Sequence, residues 1–221
     1  NLEMARVRKG EITFYNLDGE EIQKEGKTIE WDAEAAEKAG FEHFMMKEIH
    51  EQPKAVTDTL NSVIKDGAID LGEVGLSDED IQNVSQIYIV ACGSAYHVGV
   101  AAQYVLEDLV RIPVRVELAS EFRYRNPILD KNGLAVIISQ SGETADSLAA
   151  LRECKSKGIR TLAVVNVVGS SIAREADNVF YTLAGPEIAV ATTKAYSTQL
   201  IAAYVLAIQF AKVKGQIDDE Q

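Results

Sequence analysis

Between residues 86 and 214, short apolar runs alternate with longer segments in which apolar side chains recur every three or four positions. The runs predict strands and the longer segments predict helices. The predicted strands are 87–91, 114–118, 134–139, 161–166 and 178–183, and the predicted helices are 94–110, 143–157, 171–176 and 193–214. Apolar strands that alternate with helices indicate a parallel sheet covered on both faces. The predicted fold class is therefore α/β, a doubly wound five-stranded parallel sheet of flavodoxin-like type with strand order 2-1-3-4-5.

The segment before this sheet predicts further helices. One apolar stripe at helical spacing is formed by Ile49, Val56, Leu60 and Val63. Because Pro53 interrupts a helix but suits its first turn, we expect a kinked or two-piece helix that stops at Asp66-Gly67. Ser77 precedes three acidic residues, which predicts the N-cap of another short helix.

Residues 1–30 have the pattern of a short β-meander. Glu11–Tyr15 is rich in β-branched and aromatic residues, and Asp18-Gly19 is a hairpin signal. Because a meander of this size has too little apolar face to be stable alone, we expect that it packed on a domain absent from this chain. The predicted organisation is this remnant (1–30), a polar linker (31–42), the sheet domain (43–215) and a C-terminal linker (216–221).

Composition and charge restrict the classes of partner. The chain is 47% hydrophobic and 25% charged, which is ordinary for a globular protein. Its 22 basic and 34 acidic residues give a net charge of −12, which disfavours nucleic acid and anionic membrane surfaces. The longest apolar run, Leu200–Ile208, is too short to span a membrane. With two cysteines and no CxxC motif, we expect a reduced, soluble, cytoplasmic protein.

Two loops carry the candidate chemistry. Cys92–Ala95 and Ser139–Thr144 each join a strand end to a helix start, beside the point where strand order reverses. Free main-chain amides and hydroxyls at such helix starts bind anions, so we call these two loops the hydroxyl cradle and predict that it binds phosphate without Lys or Arg. We expect Gly93 and Gly142 to allow close approach of a ligand. The segment Val190–Lys194 is a third candidate, although alone it is typical of a helix cap.

Other reactive residue types do not form a recognisable site. Cys154 is expected to be a packing residue, and His43 and His50 lack metal-ligand spacing. His97 lies near the crevice but is expected to be structural. The charged and aromatic segment 121–125 suggests an interface, with a solvated turn as the alternative. GxGxxG and GxxxxGK[ST] motifs are absent from the sequence, which argues against dinucleotide and P-loop sites. Together with the histidine spacing, this predicts no metal and no cofactor.

Six motifs in order resemble the isomerase portion of the glucosamine-6-phosphate synthase family, the isomerising glutamine–fructose-6-phosphate aminotransferases. They are Phe44–Glu48, Glu51–Pro53, Ala91–Ser94, Ala119–Arg125, Ser139–Thr144 and Ala191–Ala195. Six motifs in matching order are highly specific for this family, whereas SxSGxT alone would indicate only a sugar isomerase (SIS) domain. The resemblance covers essentially the whole chain.

This resemblance implies a three-part enzyme with an N-terminal glutaminase followed by two SIS domains. The chain would correspond to the end of the glutaminase, a linker and the first SIS domain, and it would act in a homodimer. The whole enzyme would hydrolyse glutamine, channel ammonia and convert fructose 6-phosphate to glucosamine 6-phosphate in hexosamine biosynthesis. The catalytic residues of both reactions would lie outside this chain, which alone would bind sugar phosphate weakly and catalyse nothing.

The resemblance also assigns binding roles by motif position. The sugar phosphate and neighbouring hydroxyls would be held by Ser94, Ser139, Gln140, Ser141 and Thr144. Cys92 and Gly93 would shape the first loop, and Val190 and Thr192 would contact the sugar chain. Ala95 departs from the serine that the family commonly has there, and alanine offers no side-chain donor to a phosphate.

Two alternatives from other classes stay open at this point. One is a non-catalytic SIS-type sugar-phosphate sensor or regulatory domain, which would normally carry a basic helix-turn-helix segment upstream. The other is an FMN-binding flavodoxin-like protein, which would purify yellow.

Overall fold

A computed structural model describes residues 3–24 and 37–218, which belong to two separate compact units. Half of the predicted linker, residues 31–36, and the end of the C-terminal linker, residues 219–221, lie outside the described residues. The predicted domain boundaries therefore stay predictions.

The first unit is a three-stranded antiparallel sheet, as the β-meander pattern predicted. Its strands are β1 (Met4–Arg8), β2 (Glu11–Tyr15) and β3 (Glu21–Ile22), in the order β1-β2-β3. The second turn is held by the Asn16 side chain, which accepts hydrogen bonds from the amides of Asp18 and Glu20 at 3.0 and 2.9 Å. Within residues 3–24 only Thr13 is buried, so this sheet has almost no core of its own.

The second unit begins with helices and a small hairpin. Its first elements are α1 (Phe44–Asn61), β4 (Ile64–Lys65), β5 (Ala68–Ile69) and α2 (Asp78–Asn83). One helix runs through Pro53, so the two-piece alternative is wrong. The helix also ends earlier than expected, because Asp66-Gly67 is the turn of the β4–β5 hairpin, with φ of 52° and 79°. Ser77 caps α2 as predicted, in a capping box with Asp80.

The predicted stripe on α1 is confirmed only in part: Val63 lies in the apolar core and Leu60 packs against it, but the buried face of the helix is a different one. Ile49 is 37% exposed, whereas the buried residues of the helix are Lys47, Glu48, Ala55 and Thr59. This face packs against the final helix of the chain and is largely polar. A pattern based on apolar residues cannot identify such a face.

The main sheet has five parallel strands and helices on both faces, as predicted. The remaining elements are β6 (Gln86–Ala91), α3 (Gly93–Val110), β7 (Val114–Leu118), α4 (Ala119–Phe122), β8 (Gly133–Ser139), α5 (Ala145–Ser156), β9 (Arg160–Val165), α6 (Ser171–Glu175), β10 (Asn178–Tyr181) and α7 (Lys194–Val213). The strand order β7-β6-β8-β9-β10 is the predicted 2-1-3-4-5 order. One apolar core lies between the sheet and α2, α3 and α7, and a second lies beneath α4, α5 and α6.

The register of the sheet places the two candidate loops side by side. Strands β6 and β8 are parallel neighbours, with Ala91 opposite Ile138. From β6 the chain enters α3 at Gly93, and from β8 it passes through the Ser139–Thr144 loop into α5 at Ala145, so both helices start at the same edge of the sheet. Within the described residues, no helix is both long and apolar enough to cross a membrane.

Candidate functional site

Both loops of the hydroxyl cradle and the segment before α7 line one cavity of about 260 Å³. Every predicted site residue except Gly93 lines it. The full lining consists of Cys92, Ser94, Ala95, Ile138, Ser139, Gln140, Ser141, Thr144, Ser147, Glu187, Ala189, Val190, Thr192 and Gln199. The volume lies just below the roughly 300–1,000 Å³ of pockets for drug-sized ligands, which suits a small ligand.

The first loop ends β6 and starts α3 without a side-chain cap. Cys92 is the N-cap in extended conformation, and its side chain makes no capping hydrogen bond. Gly93 follows with φ of +56°, a conformation that favours glycine, yet an added Cβ there would meet nothing within 4 Å. Glycine is therefore needed at position 93 for its backbone conformation. The uncapped first turn of α3 leaves main-chain amides available at the cavity.

The second loop is a tight turn built from its own hydroxyls. The amide of Gly142 donates to Ser139 Oγ at 3.0 Å, and the amide of Glu143 donates to Ser141 Oγ at 3.2 Å. The hydroxyls of Ser139 and Thr144 lie 3.4 Å apart. Thr144 is the N-cap of α5 and makes no side-chain capping bond. The loop thus presents hydroxyls and a second uncapped helix start to the cavity.

Helix α6 fixes the second loop from behind. The Glu143 carboxylate accepts a 2.7 Å hydrogen bond from the amide of Ser171, and hydrogen bonding to Ser171 lowers the pKa of Glu143. Gly142 has φ of +64°, and a Cβ there would lie 2.1 Å from Ser170 Oγ. The expectation that Gly142 makes room for a ligand is wrong, because the close neighbour is Ser170 of the same chain.

Glu187 organises the third wall of the cavity. Its carboxylate accepts hydrogen bonds from Thr192 Oγ1 at 2.7 Å and from the amides of Thr193 and Ala195 at 3.0 and 3.2 Å. This carboxylate therefore caps the start of α7, where a negative charge is stabilising. Thr192 lines the cavity with its hydroxyl proton directed to Glu187, and Val190 stands fully exposed at the rim.

Helix α1 holds the same segment in place. Glu48 is only 1% exposed, and its Oε1 accepts hydrogen bonds from the amides of Ile188 and Ala189 at 2.6 and 3.1 Å. Nearby, Lys194 Nζ lies 2.7 Å from Glu51 Oε2. Burial opposes ionisation of Glu51, but hydrogen bonding and the charge of Lys194 outweigh it and lower the pKa of Glu51.

Among the residues that the structure describes, no Lys or Arg lines the cavity, and Glu187 is the one charged side chain in its lining. Over the described ranges 3–24 and 37–218, no group of three or more His, Cys, Asp or Glu side chains could hold a metal ion. Any anion at this site would therefore be held by main-chain amides and neutral side chains.

Sequence reasoning missed Ser147, Glu187 and Gln199, which also line the cavity. Ser147 follows Thr144 by three residues on one helix, so helical spacing could have identified it. Gln199 is a polar residue within the apolar stripe of α7, which is a detectable signal. Glu187 lies too far from the start of α7 for a capping-box pattern, and no local signal marks it.

The other candidate residues lie away from the cavity or pack in the core. Cys154 is buried beneath α5, and burial raises the pKa of its thiol to about 12. His43, His50 and His97 are exposed and do not line the cavity. In the segment 121–125, the side chain of Arg123 lies 2.7 Å from Asp146 in the first turn of α5.

Comparison with known proteins gives the family. The model of the SIS domain matches residues 80–209, more than half of the chain. The chain belongs to the SIS domain family. In solved structures, this SIS domain is similar to the C-terminal domain of glucosamine-fructose-6-phosphate aminotransferase from Francisella tularensis. The TM-score is 0.80 at 43% identity, over 84% of this chain and 52% of that one.

Two curated relatives share one name. The chain is 59% identical over 95% of its length to the glutamine–fructose-6-phosphate aminotransferase (isomerizing) of Clostridium acetobutylicum, and 48% identical over its whole length to that of Methanosarcina mazei. These alignments cover 35% and 36% of the two relatives. The chain thus spans about a third of the length of the curated relatives that it matches, and the resemblance inferred from the six motifs is confirmed.

Proposed function

We propose that this chain binds a phosphorylated sugar in the 260 Å³ cavity, with the phosphate on the hydroxyl cradle. The observation that carries this proposal is that Cys92–Ala95 and Ser139–Thr144, each at the start of a helix, line one cavity. Uncapped helix starts direct amide N–H groups and a positive partial charge at an anion. A cradle of this kind needs no basic side chain, which agrees with the net charge of −12.

The proposed phosphate ligands are the hydroxyls of Ser94, Ser139, Ser141 and Thr144, together with Gln140. Cys92 and Gly93 set the shape of the first loop. Val190 and Thr192 form the wall beside the sugar chain, where Glu187 fixes the Thr192 hydroxyl at 2.7 Å. Glu187 itself is an unsuitable neighbour for phosphate, because two negative charges in one small cavity repel each other.

We further propose that this sugar phosphate is fructose 6-phosphate or glucosamine 6-phosphate, and that the chain is the sugar-phosphate-binding part of a glutamine–fructose-6-phosphate aminotransferase. That enzyme transfers nitrogen from glutamine to fructose 6-phosphate and gives glucosamine 6-phosphate and glutamate. The shared name of relatives at 48–59% identity supports the proposal. In this proposal a glutaminase domain and a second SIS domain complete a cytoplasmic homodimeric enzyme, and the present chain binds without turnover.

Calorimetric titration of the 221-residue chain with fructose 6-phosphate and with inorganic phosphate tests the binding. Ser141→Ala and Thr144→Val are expected to weaken both ligands roughly tenfold or more, since each removes a hydrogen bond to a charged group. Ser156→Ala is the matched control, because Ser156 lies at the opposite end of α5 and donates to the Glu153 carbonyl. Absence of binding at millimolar ligand, or equal loss in the control, would contradict the proposal.

A turnover assay tests the second part. The chain is incubated with fructose 6-phosphate and either glutamine or ammonia, and glucosamine 6-phosphate is measured. We expect no product. Formation of product by this chain alone would show that the proposed division of binding and catalysis is wrong.

A further inference from the structure

One of the most deeply buried polar side chains of the cavity is that of Gln199, in the second turn of α7. Gln199 is 2% exposed and lines the cavity that contains the hydroxyl cradle. It also borders a small apolar gap beneath α7, lined by residues such as Ile138 and Leu206. The side chain therefore stands at the boundary between the polar cavity and the apolar core.

The amide of Gln199 has no partner among the described residues. Over residues 3–24 and 37–218 its side chain makes no hydrogen bond, and its amide atoms are not among the fully enclosed side-chain atoms that lack a partner, which agrees with their opening onto the cavity. A primary amide offers two donors and an acceptor, and buried groups of this kind are nearly always paired. An unpaired amide that is buried and faces a polar cavity is a ready contact for a bound molecule.

The distribution of charge in the cavity determines which end of a phosphorylated ligand lies beside the Gln199 amide. Glu187 and Gln199 both belong to the α7 side, whereas the hydroxyls and uncapped helix starts belong to the α3 and α5 side. A phosphate dianion is repelled by the Glu187 carboxylate and attracted to the helix starts. The uncharged end of a phosphorylated sugar is then left to the α7 side.

We propose that Gln199 is a specificity-determining residue that hydrogen-bonds a hydroxyl or carbonyl oxygen of the sugar chain. This inference rests on the proposed function and adds how the site distinguishes a sugar phosphate from phosphate itself. A neutral amide suits this task, because it can donate to a carbonyl and accept from a hydroxyl without adding charge. A site with such a group discriminates against ligands that leave it unpaired.

The test compares Gln199→Leu with the unchanged chain by calorimetric titration of three probes: fructose 6-phosphate, glycerol 3-phosphate and inorganic phosphate. Leucine has a similar size and suits the apolar side of the position. We expect Gln199→Leu to bind fructose 6-phosphate about tenfold more weakly and to bind inorganic phosphate with unchanged affinity. Glycerol 3-phosphate, which has a short chain, is expected to change little.

Gln209→Leu is the matched control on the same helix, since Gln209 donates to Asp78 far from the cavity. Gln199→Asn provides a second variant with a shorter amide, and it is expected to give the same split between sugar phosphate and phosphate. If both Gln199 variants bind every probe with the affinity of the unchanged chain, the inference is overturned. It is also overturned if phosphate and sugar phosphate lose affinity by the same factor. If the unchanged chain binds none of the probes, the proposed function itself fails.

Discussion

The Lys194 ammonium and the Glu51 carboxylate form an ion pair of 2.7 Å between α7 and α1. Lys194 is 3% exposed, so its charge is almost removed from water and depends on this partner. The pair closes the polar interface that also positions the segment before α7, through Glu48 and the amides of Ile188 and Ala189.

Removing the carboxylate is therefore expected to destabilise the protein. Glu51→Gln should lower the free energy of unfolding by about 3 kcal/mol, because it leaves a buried ammonium without its counter-charge. Urea denaturation at neutral pH measures the change. Asp58→Asn is the control on the same helix: its partner Lys54 is exposed, so a loss below about 0.5 kcal/mol is expected. If Glu51→Gln and Asp58→Asn lower the free energy of unfolding by similar amounts, the buried Lys194–Glu51 pair stabilises the protein no more than an exposed pair does.

Acid should weaken a second ion pair, in which the carboxylate of Asp177 is partly exposed. Burial opposes ionisation of Asp177, but hydrogen bonds from Lys155 and Thr161 outweigh it and lower the pKa of Asp177 from its usual 3.8. Because the pKa is lower in the folded state, the stabilisation is fully present above 3.8 and is lost as pH falls through the folded-state pKa.

Asp177→Asn is therefore expected to cost about 0.5–1 kcal/mol at neutral pH, because solvent screens this partly exposed carboxylate, and progressively less below about pH 4. Urea denaturation of both proteins at several pH values checks this. Asp108→Asn, at an exposed site, should follow the unchanged protein throughout. If the difference in unfolding free energy between Asp177→Asn and the unchanged chain stays constant at acid pH, ionised Asp177 is not the source of the stabilisation.

Two glycines of the cradle should respond differently to alanine. At Gly93 the added Cβ meets nothing within 4 Å, so Gly93→Ala should cost only the backbone penalty of about 1–2 kcal/mol. At Gly142 the Cβ also collides with Ser170, and Gly142→Ala should cost about 2–4 kcal/mol. Thermal unfolding measures both. Adding Ser170→Gly to Gly142→Ala should restore the stability that is lost beyond the backbone penalty. If the effects of the two substitutions on the free energy of unfolding simply add, the clash with Ser170 is not the cause.

The two cysteines should differ in reactivity towards a thiol reagent. Cys154 is buried with a pKa of about 12, so it carries almost no thiolate at neutral pH, whereas Cys92 is half-buried and lines the cavity. Native chain should take up one equivalent of reagent quickly. Cys92→Ala should abolish this uptake, Cys154→Ala should preserve it, and fructose 6-phosphate should slow it. Fast labelling of Cys154 in the folded protein would contradict its burial.

Sequence reasoning predicted the sheet well because its signals are local. Each strand is a short apolar run, and strands such as Val114–Leu118 have the predicted bounds. The hydroxyl cradle was also predictable, since Ser139–Thr144 brings its donors together within one short loop. Each of these features is determined by a few consecutive residues.

The rest of the site depends on contacts between distant residues. Glu48 binds the amide of Ile188 across a separation of 140 residues, and Glu51 pairs with Lys194 across 143. These polar side chains on a buried helix face carry no apolar signal, so the predicted stripe located the core contacts of Leu60 and Val63 but not the polar face of α1. Only the packing of α1 on α7 reveals their function.

Because no described Lys or Arg lines the cavity, the association rate and the dissociation rate of a phosphate ligand depend on different interactions. Dipoles act over a few ångström, so nothing in the lining attracts a dianion from a distance, and the net charge of −12 repels it on approach. Added salt screens that repulsion and should raise the association rate constant. The dissociation rate constant, set by short hydrogen bonds, should stay nearly constant, so moderate ionic strength would tighten binding, opposite to the behaviour of an arginine-lined phosphate site.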